Sequence, residues 1–240
     1  MSVDQISLDR AGVTAAVRLA SARTGVDFAY LYTEAKVESG LRADAAAATG
    51  SARGLYQFTA GAWLDVVARH GAEQGLGDAA DAVASGAAAR DPLVRAQVLA
   101  LRGDPQAAAL MAAALAIDNA AKVTAGTGRP AGATELYLAH FLGAAGAIRF
   151  LRARDGDPAA AAADVVPAAA GANRAVFFAG GAPRSLDAVY ARFAARFSGN
   201  PVPAGGNELP VAAPVMVADG ATAGPQAARF AYLLLAELGA

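Results

Sequence analysis

Three times the chain reads Asp-Pro: at Asp91-Pro92, Asp104-Pro105 and Asp157-Pro158. An aspartate in front of a helix accepts hydrogen bonds from the free N–H groups of the first turn. A proline in that turn loses nothing by lacking its own N–H, and its fixed φ suits the helix. The three pairs therefore predict helices over 93–101, 106–121 and 159–165. Other segments carry apolar residues at helical spacing. Residues 8–23 place Val13, Ala16, Val17 and Ala20 on one side, and Gly25 ends the run. Residues 27–39 place Phe28, Leu31, Tyr32 and Ala35 together, with Asp27 as cap and Gly40 as stop. A helix over 60–70 closes at Gly71. Thr134 can cap a long apolar helix over 135–152, and Ser185 one over 186–197. Gly143 and Gly146 then read as positions for close helix packing, and Trp63 as a core residue. No strand pattern exceeds a few residues. Alanine, the best helix former, fills about 70 of the 240 positions. The expected fold class is all-α.

Composition breaks after Ser198. Pro201, Pro203, Gly205, Gly206, Pro210, Pro214, Gly220, Gly224 and Pro225 crowd the next segment. The expected organisation is a helical domain over 1–198, a flexible linker over 199–225 and a short amphipathic helix within 226–240. That helix groups Phe230, Leu233, Leu234 and Leu235, which either pack back on the domain or dock on a partner.

Charge and composition exclude several functions. Lys+Arg number 20 against 21 Asp+Glu, so the basic excess of a nucleic-acid or membrane-surface binder is missing. There is no cysteine, which removes disulfides, thiolate catalysis and zinc-thiolate sites. With only His70 and His140, no multi-histidine metal site is expected, and no cofactor. The first residues show no basic stretch followed by an apolar run, so no signal peptide is visible. No uninterrupted apolar stretch reaches the roughly 18–20 residues of a membrane-spanning helix, so no transmembrane segment is expected.

Chemistry gathers around two glutamates. Glu34 and Glu38 stand four apart on the second helix and share a face. Two carboxylates at this spacing oppose each other's ionisation. A carboxylic acid that holds its proton is the general acid that glycosidic cleavage requires. By itself such a pair also describes an ordinary solvated helix face.

The words around it point further. Val37-Glu38-Ser39-Gly40-Leu41 is followed by a small-residue loop, then by Gly54-Leu55-Tyr56-Gln57-Phe58. This pattern resembles the soluble lytic transglycosylase family, whose fold is goose-type lysozyme-like. The family's signature is a helix ending in Glu-Ser-Gly, a small-residue loop, then Gly-Leu-Met-Gln-Phe, and Tyr56 replaces the methionine. A looser word, Ala139-His140-Phe141-Leu142-Gly143, stands where the family has Ala-Tyr-Asn-Ala-Gly. The resemblance covers about residues 24 to 151 and is nearest to alphaproteobacterial and phage-associated members.

The resemblance implies Glu38 as the single catalytic acid/base, with Glu34 structural or tuning. It implies substrate contacts from Ser39, Tyr56, Gln57 and His140. Ser39 is a candidate either to hydrogen-bond sugar or to orient the loop, and Tyr56 either to stack on a sugar or to pack. His140 takes the place of the family's tyrosine beside the catalytic glutamate. The implied substrate is peptidoglycan, cut between N-acetylmuramic acid and N-acetylglucosamine to leave a 1,6-anhydro end. The implied place of action is the periplasm or cell wall. The terminal helix is then a docking element for an envelope-spanning assembly of flagellar, secretion or phage-like type. Two alternatives stand beside this reading. One is a muramidase hydrolysing the same bond, with Asp44 or Asp65 as second carboxylate. The other is a non-catalytic peptidoglycan-binding or assembly protein on the same scaffold.

Overall fold

A computed structural model describes residues 3–48 and 50–198. The predicted linker and terminal helix lie outside the described residues. Within them the protein is mostly helical, and the only strands are two short ones. The described residues divide into two units, the first ending at Leu115 and the second beginning at Ala116.

The first unit opens with α1 (Val3–Thr24) and α2 (Phe28–Ser39), which pack together. The predicted stripe of α1 is buried at Val13, Val17 and Ala20. Asp27 caps α2 by accepting from the Tyr30 N–H at 2.7 Å, and left-handed Gly40 ends it. After an irregular segment come α3 (Ala60–His70), α4 (Gly77–Ala84), α5 (Ala87–Arg90) and α6 (Pro92–Ala100). A 3₁₀ turn (Leu101–Gly103) leads into α7 (Pro105–Thr127). Asp91 and Asp104 cap as expected, accepting from the Leu93 and Ala107 N–H groups at 2.8 and 2.7 Å. Trp63 is fully buried in the core, with Leu31, Leu55, Val66 and Val67.

Long and apolar enough to cross a membrane by composition, α7 nonetheless has 61% of its most apolar window buried inside the protein. Alanines 107–109 and 112–114 supply much of that buried surface. A helix so largely buried reads as a core helix.

The second unit contains α8 (Ala133–Leu142), α9 (Ala144–Gly156), α10 (Ala162–Val165), α11 (Pro167–Ala172), α12 (Arg174–Phe177) and α13 (Leu186–Ser198). A small antiparallel pair, β1 (Phe178–Ala179) and β2 (Ala182–Pro183), precedes α13. Ser185 caps α13 through the Ala188 N–H at 3.1 Å. A polar network joins α8, α9 and α13. The Tyr190 hydroxyl donates to Glu135 at 2.5 Å, and the Arg154 guanidinium lies 3.8 Å from the Tyr190 ring centre while pairing with Asp187 at 2.6 Å.

Two expectations are corrected here. The long helix over 135–152 is two helices, because Gly143 takes φ 70°, ψ 154°, a conformation essentially confined to glycine. Open space surrounds the position a Gly143 side chain would take, so this glycine turns the chain and does not serve close packing. The Thr134 cap is replaced by Glu135, whose carboxylate reaches back to the Gly132 N–H at 3.0 Å. The segment over 159–165 is helical only from Ala162. Asp157 accepts from the Ala159 N–H at 3.0 Å, which closes a local turn. Backbone bonds from Leu186 to Ala160 and from Ala162 to Arg184 then hold the next residues extended.

Candidate active site

Glu38 lies in the last turn of α2 and is only 6% exposed; Glu34, one turn earlier, is 3% exposed. The pair is therefore not a solvated helix face. Burying carboxylates is costly unless they are paired or do chemistry, so their position is informative.

Ser39 couples the end of this helix to the next motif. Its Oγ stands 2.8 Å from the Leu55 carbonyl and 3.0 Å from the Ala35 carbonyl, and it accepts from the Arg42 N–H at 3.1 Å. One hydroxyl proton serves the two carbonyls, and the Leu55 contact is the shorter. Of the two roles open for Ser39, orienting the loop has a direct geometric basis.

Residues 50–58 form a loop that backbone hydrogen bonds hold to itself and to Ala45. Gly54 N–H donates to Ala45 at 2.8 Å, Arg53 to Phe58 at 3.2 Å, and Gln57 to Gly54 at 3.2 Å. Gln57 adopts φ 48°, which is uncommon for a residue with a side chain. Its Nε2 donates to the Gly54 carbonyl at 2.9 Å and the Ala45 carbonyl at 3.3 Å, which stabilises that turn. A backbone held this way at the position the sequence marked is the kind of local strain that gathers at functional sites.

Tyr56 is wholly buried. Its hydroxyl donates to the Leu31 carbonyl at 3.1 Å. Burial pushes its phenol pKa well up, and the nearby Glu34 charge adds to that. Tyr56 accordingly packs; a sugar face has no access to its ring.

Below the loop, Phe58 meets the Trp63 ring edge-on with centres 5.3 Å apart, and Trp63 Nε1 donates to the Val98 carbonyl at 2.8 Å. Arg102, which the sequence reading passed over, is 8% exposed and reaches into the same place. Its Nη1 donates to the carbonyls of Ser51 (2.5 Å) and Phe58 (3.0 Å), and its Nε to that of Leu99 (2.9 Å). Burial lowers its pKa, and the charges of Arg53 and Arg95 lower it further.

His140 belongs to the second unit. It is half-buried on α8, with its ring stacked on Tyr137 at 5.9 Å between centres. Glu38, Ser39, Tyr56 and Gln57 all belong to the first unit, and His140 to the second.

The alternative second carboxylates are on the surface. The Asp44 side chain is 62% exposed and pairs with Arg42 at 3.3 Å. The Asp65 side chain is 61% exposed and pairs with Arg69 at 2.8 Å. No group of three or more His, Asp or Glu side chains that could hold a metal occurs among the described residues. A groove of about 300 Å³ runs between α1 and the start of α7, lined by Gly12, Ala16, Leu19 and Gln106 among others, and none of the predicted site residues lines it. No protein-family model matches the chain.

Proposed function

We propose that the protein is a lytic transglycosylase of the cell wall, with a goose-type lysozyme-like catalytic region and Glu38 as its single acid/base. The observation that carries this reading is the buried Glu38 at the end of α2, with Ser39 hydrogen-bonded to the start of the Leu55-Tyr56-Gln57 strip. Two sequence words that resemble one family's signature are thereby brought into direct contact.

In this reading the Glu38 carboxylic acid first protonates the oxygen linking N-acetylmuramic acid to N-acetylglucosamine. The C1–O bond breaks, and the substrate's own acetamido oxygen stabilises the cation developing at C1. Glu38, now a carboxylate, removes the proton of the muramic 6-hydroxyl as its oxygen bonds to C1. The 1,6-anhydro ring closes, Glu38 recovers its proton, and no water is consumed. Gln57 is the proposed polar contact for the sugar within the first unit.

The surface placement of Asp44 and Asp65 favours this one-carboxylate route over hydrolysis. Hydrolases canonically work with two carboxyl groups flanking the bond, about 5–5.5 Å apart for retention or 6.5–9.5 Å for inversion. Two aspartates at the surface, each engaged by an arginine, are poor candidates for that role. The substrate assigns the site of action to the periplasm or wall, and the apolar terminal segment fits a partner in an envelope-spanning assembly.

The test is a digest of purified sacculi followed by mass spectrometry. Transglycosylation yields muropeptides lighter by one water than hydrolysis does. Products with free reducing ends would establish the muramidase instead, and intact sacculi would indicate a binding protein.

A further inference from the structure

Arg102 spends a buried positive charge on main-chain oxygens. Among the described residues its hydrogen bonds all go to carbonyls, and the nearby charges acting on it are those of Arg53 and Arg95, of its own sign. A buried cation that no carboxylate neutralises is expensive, so packing alone is a weak reason for an arginine there.

The carbonyls it holds are those of Ser51 and Phe58, which bracket Gly54-Leu55-Tyr56-Gln57. Between these ends the loop rests on Arg102 again. A Cβ on Gly54 would lie 1.8 Å from the Arg102 carbonyl oxygen, so the two backbones are in contact. One residue therefore meets the loop at its beginning, middle and end. A guanidinium suits this task because its donors lie in a fixed plane and can serve several acceptors at once.

We propose that Arg102 is a positioning residue for the Glu38 site: it locks the 51–58 loop in the conformation that sets Leu55 against Ser39 and presents Gln57. Its role in turnover rests on the function proposed above; its hold on the loop does not. Arg102 touches no reacting atom in this assignment.

The experiment uses the full chain with Arg102→Ala and Arg102→Lys, read in two independent ways. In Arg102→Ala, amide exchange at Arg53, Gly54 and Gln57 should accelerate at least about 10-fold, while the amides of α13 keep their rates. Turnover of sacculi should fall about 10- to 100-fold in kcat with KM little changed, as expected when reacting groups are misplaced. Millimolar guanidinium, but not the same concentration of sodium chloride, should restore part of both. Arg102→Lys places one ammonium near the Ser51 and Phe58 carbonyls and gives up the Leu99 bond, so it should fall between the wild type and Arg102→Ala. It also serves if the alanine variant does not fold. Unchanged loop exchange in either folded variant would overturn the proposal, as would unchanged kcat in an active enzyme. If the wild type leaves sacculi intact, the proposed activity fails, while loop exchange and its guanidinium rescue still decide whether Arg102 holds the loop.

Discussion

The Tyr56 hydroxyl donates to the Leu31 carbonyl across 3.1 Å in the buried interior of the first unit. Ser39, eight residues along α2 from Leu31, bonds the carbonyl of the adjacent Leu55. Residues at such spacing lie on one helix face. The loop is therefore fixed to α2 at two heights: its backbone at the helix end, and the tip of the Tyr56 ring two turns back.

This arrangement makes the phenol hard to ionise. Its pKa is raised first by burial and then by the Glu34 charge, and that of Tyr190 is raised by burial and its bond to Glu135. In a titration followed by tyrosinate absorbance, Tyr56 and Tyr190 should each ionise above the ordinary tyrosine value, and the Tyr56→Phe and Tyr190→Phe variants identify their steps. The stability linked to Tyr56 is fully present below about pH 10, the unfolded value. It declines above that point, because the unfolded chain loses a proton that the folded one keeps. Urea melts should show a shallower alkaline decline for Tyr56→Phe, and a loss of about 1 kcal/mol at neutral pH from the missing hydrogen bond. Equal alkaline slopes in both proteins would refute this.

Glu38→Gln should abolish sacculus lysis while leaving the circular dichroism and melting behaviour close to wild type. The amide has nearly the same shape but cannot supply or take up the proton, and loss of acid/base catalysis costs about 10²–10⁴-fold or more. Retained lysis by the folded variant would remove Glu38 from the mechanism.

Glu34→Gln should behave differently. Substantial lysis should remain, because Glu34 is assigned a tuning role. Its electrostatic effect on Tyr56 should vanish, so the phenol should ionise at lower pH than in the wild type. An inactive Glu34→Gln beside an active Glu38→Gln would reverse the assignment of the two glutamates.

Gly54→Ala should destabilise the first unit by at least about 2 kcal/mol. The glycine adopts φ +80°, and the added methyl would fall 1.8 Å from a main-chain oxygen that cannot swing aside. Urea denaturation measures the loss. A change of a few tenths of a kcal/mol would mean that the loop can lift off Arg102 without cost.

How far the sequence could be read depended on where each signal resides. The helix over 60–70 was legible because Gly71 follows an unbroken apolar stripe, and α3 has those bounds. Asp157-Pro158 carried the same signal as the other two Asp-Pro pairs, yet there the carboxylate closes a turn. Side-chain chemistry is identical in the two cases, and a backbone pairing with Arg184 and Leu186, far along the chain, decides between them. Gly143 was ambiguous for a related reason: a glycine that permits close packing and one that turns the chain are the same letter. In the site, Glu38 and Gln57 stood out as words. Arg102 did not, since its partners are carbonyls, which every residue possesses and no residue type announces.

Trp63 is the protein's single tryptophan, and it lies against Phe58 at the closing end of the loop. Its indole is sealed from water and its N–H is committed to Val98. The molecule thus carries an intrinsic optical sensor, placed where the loop meets the core. Any event that lifts the 51–58 segment, such as a substitution beneath it, changes the surroundings of the one indole, and its emission can be followed in real time with no label attached.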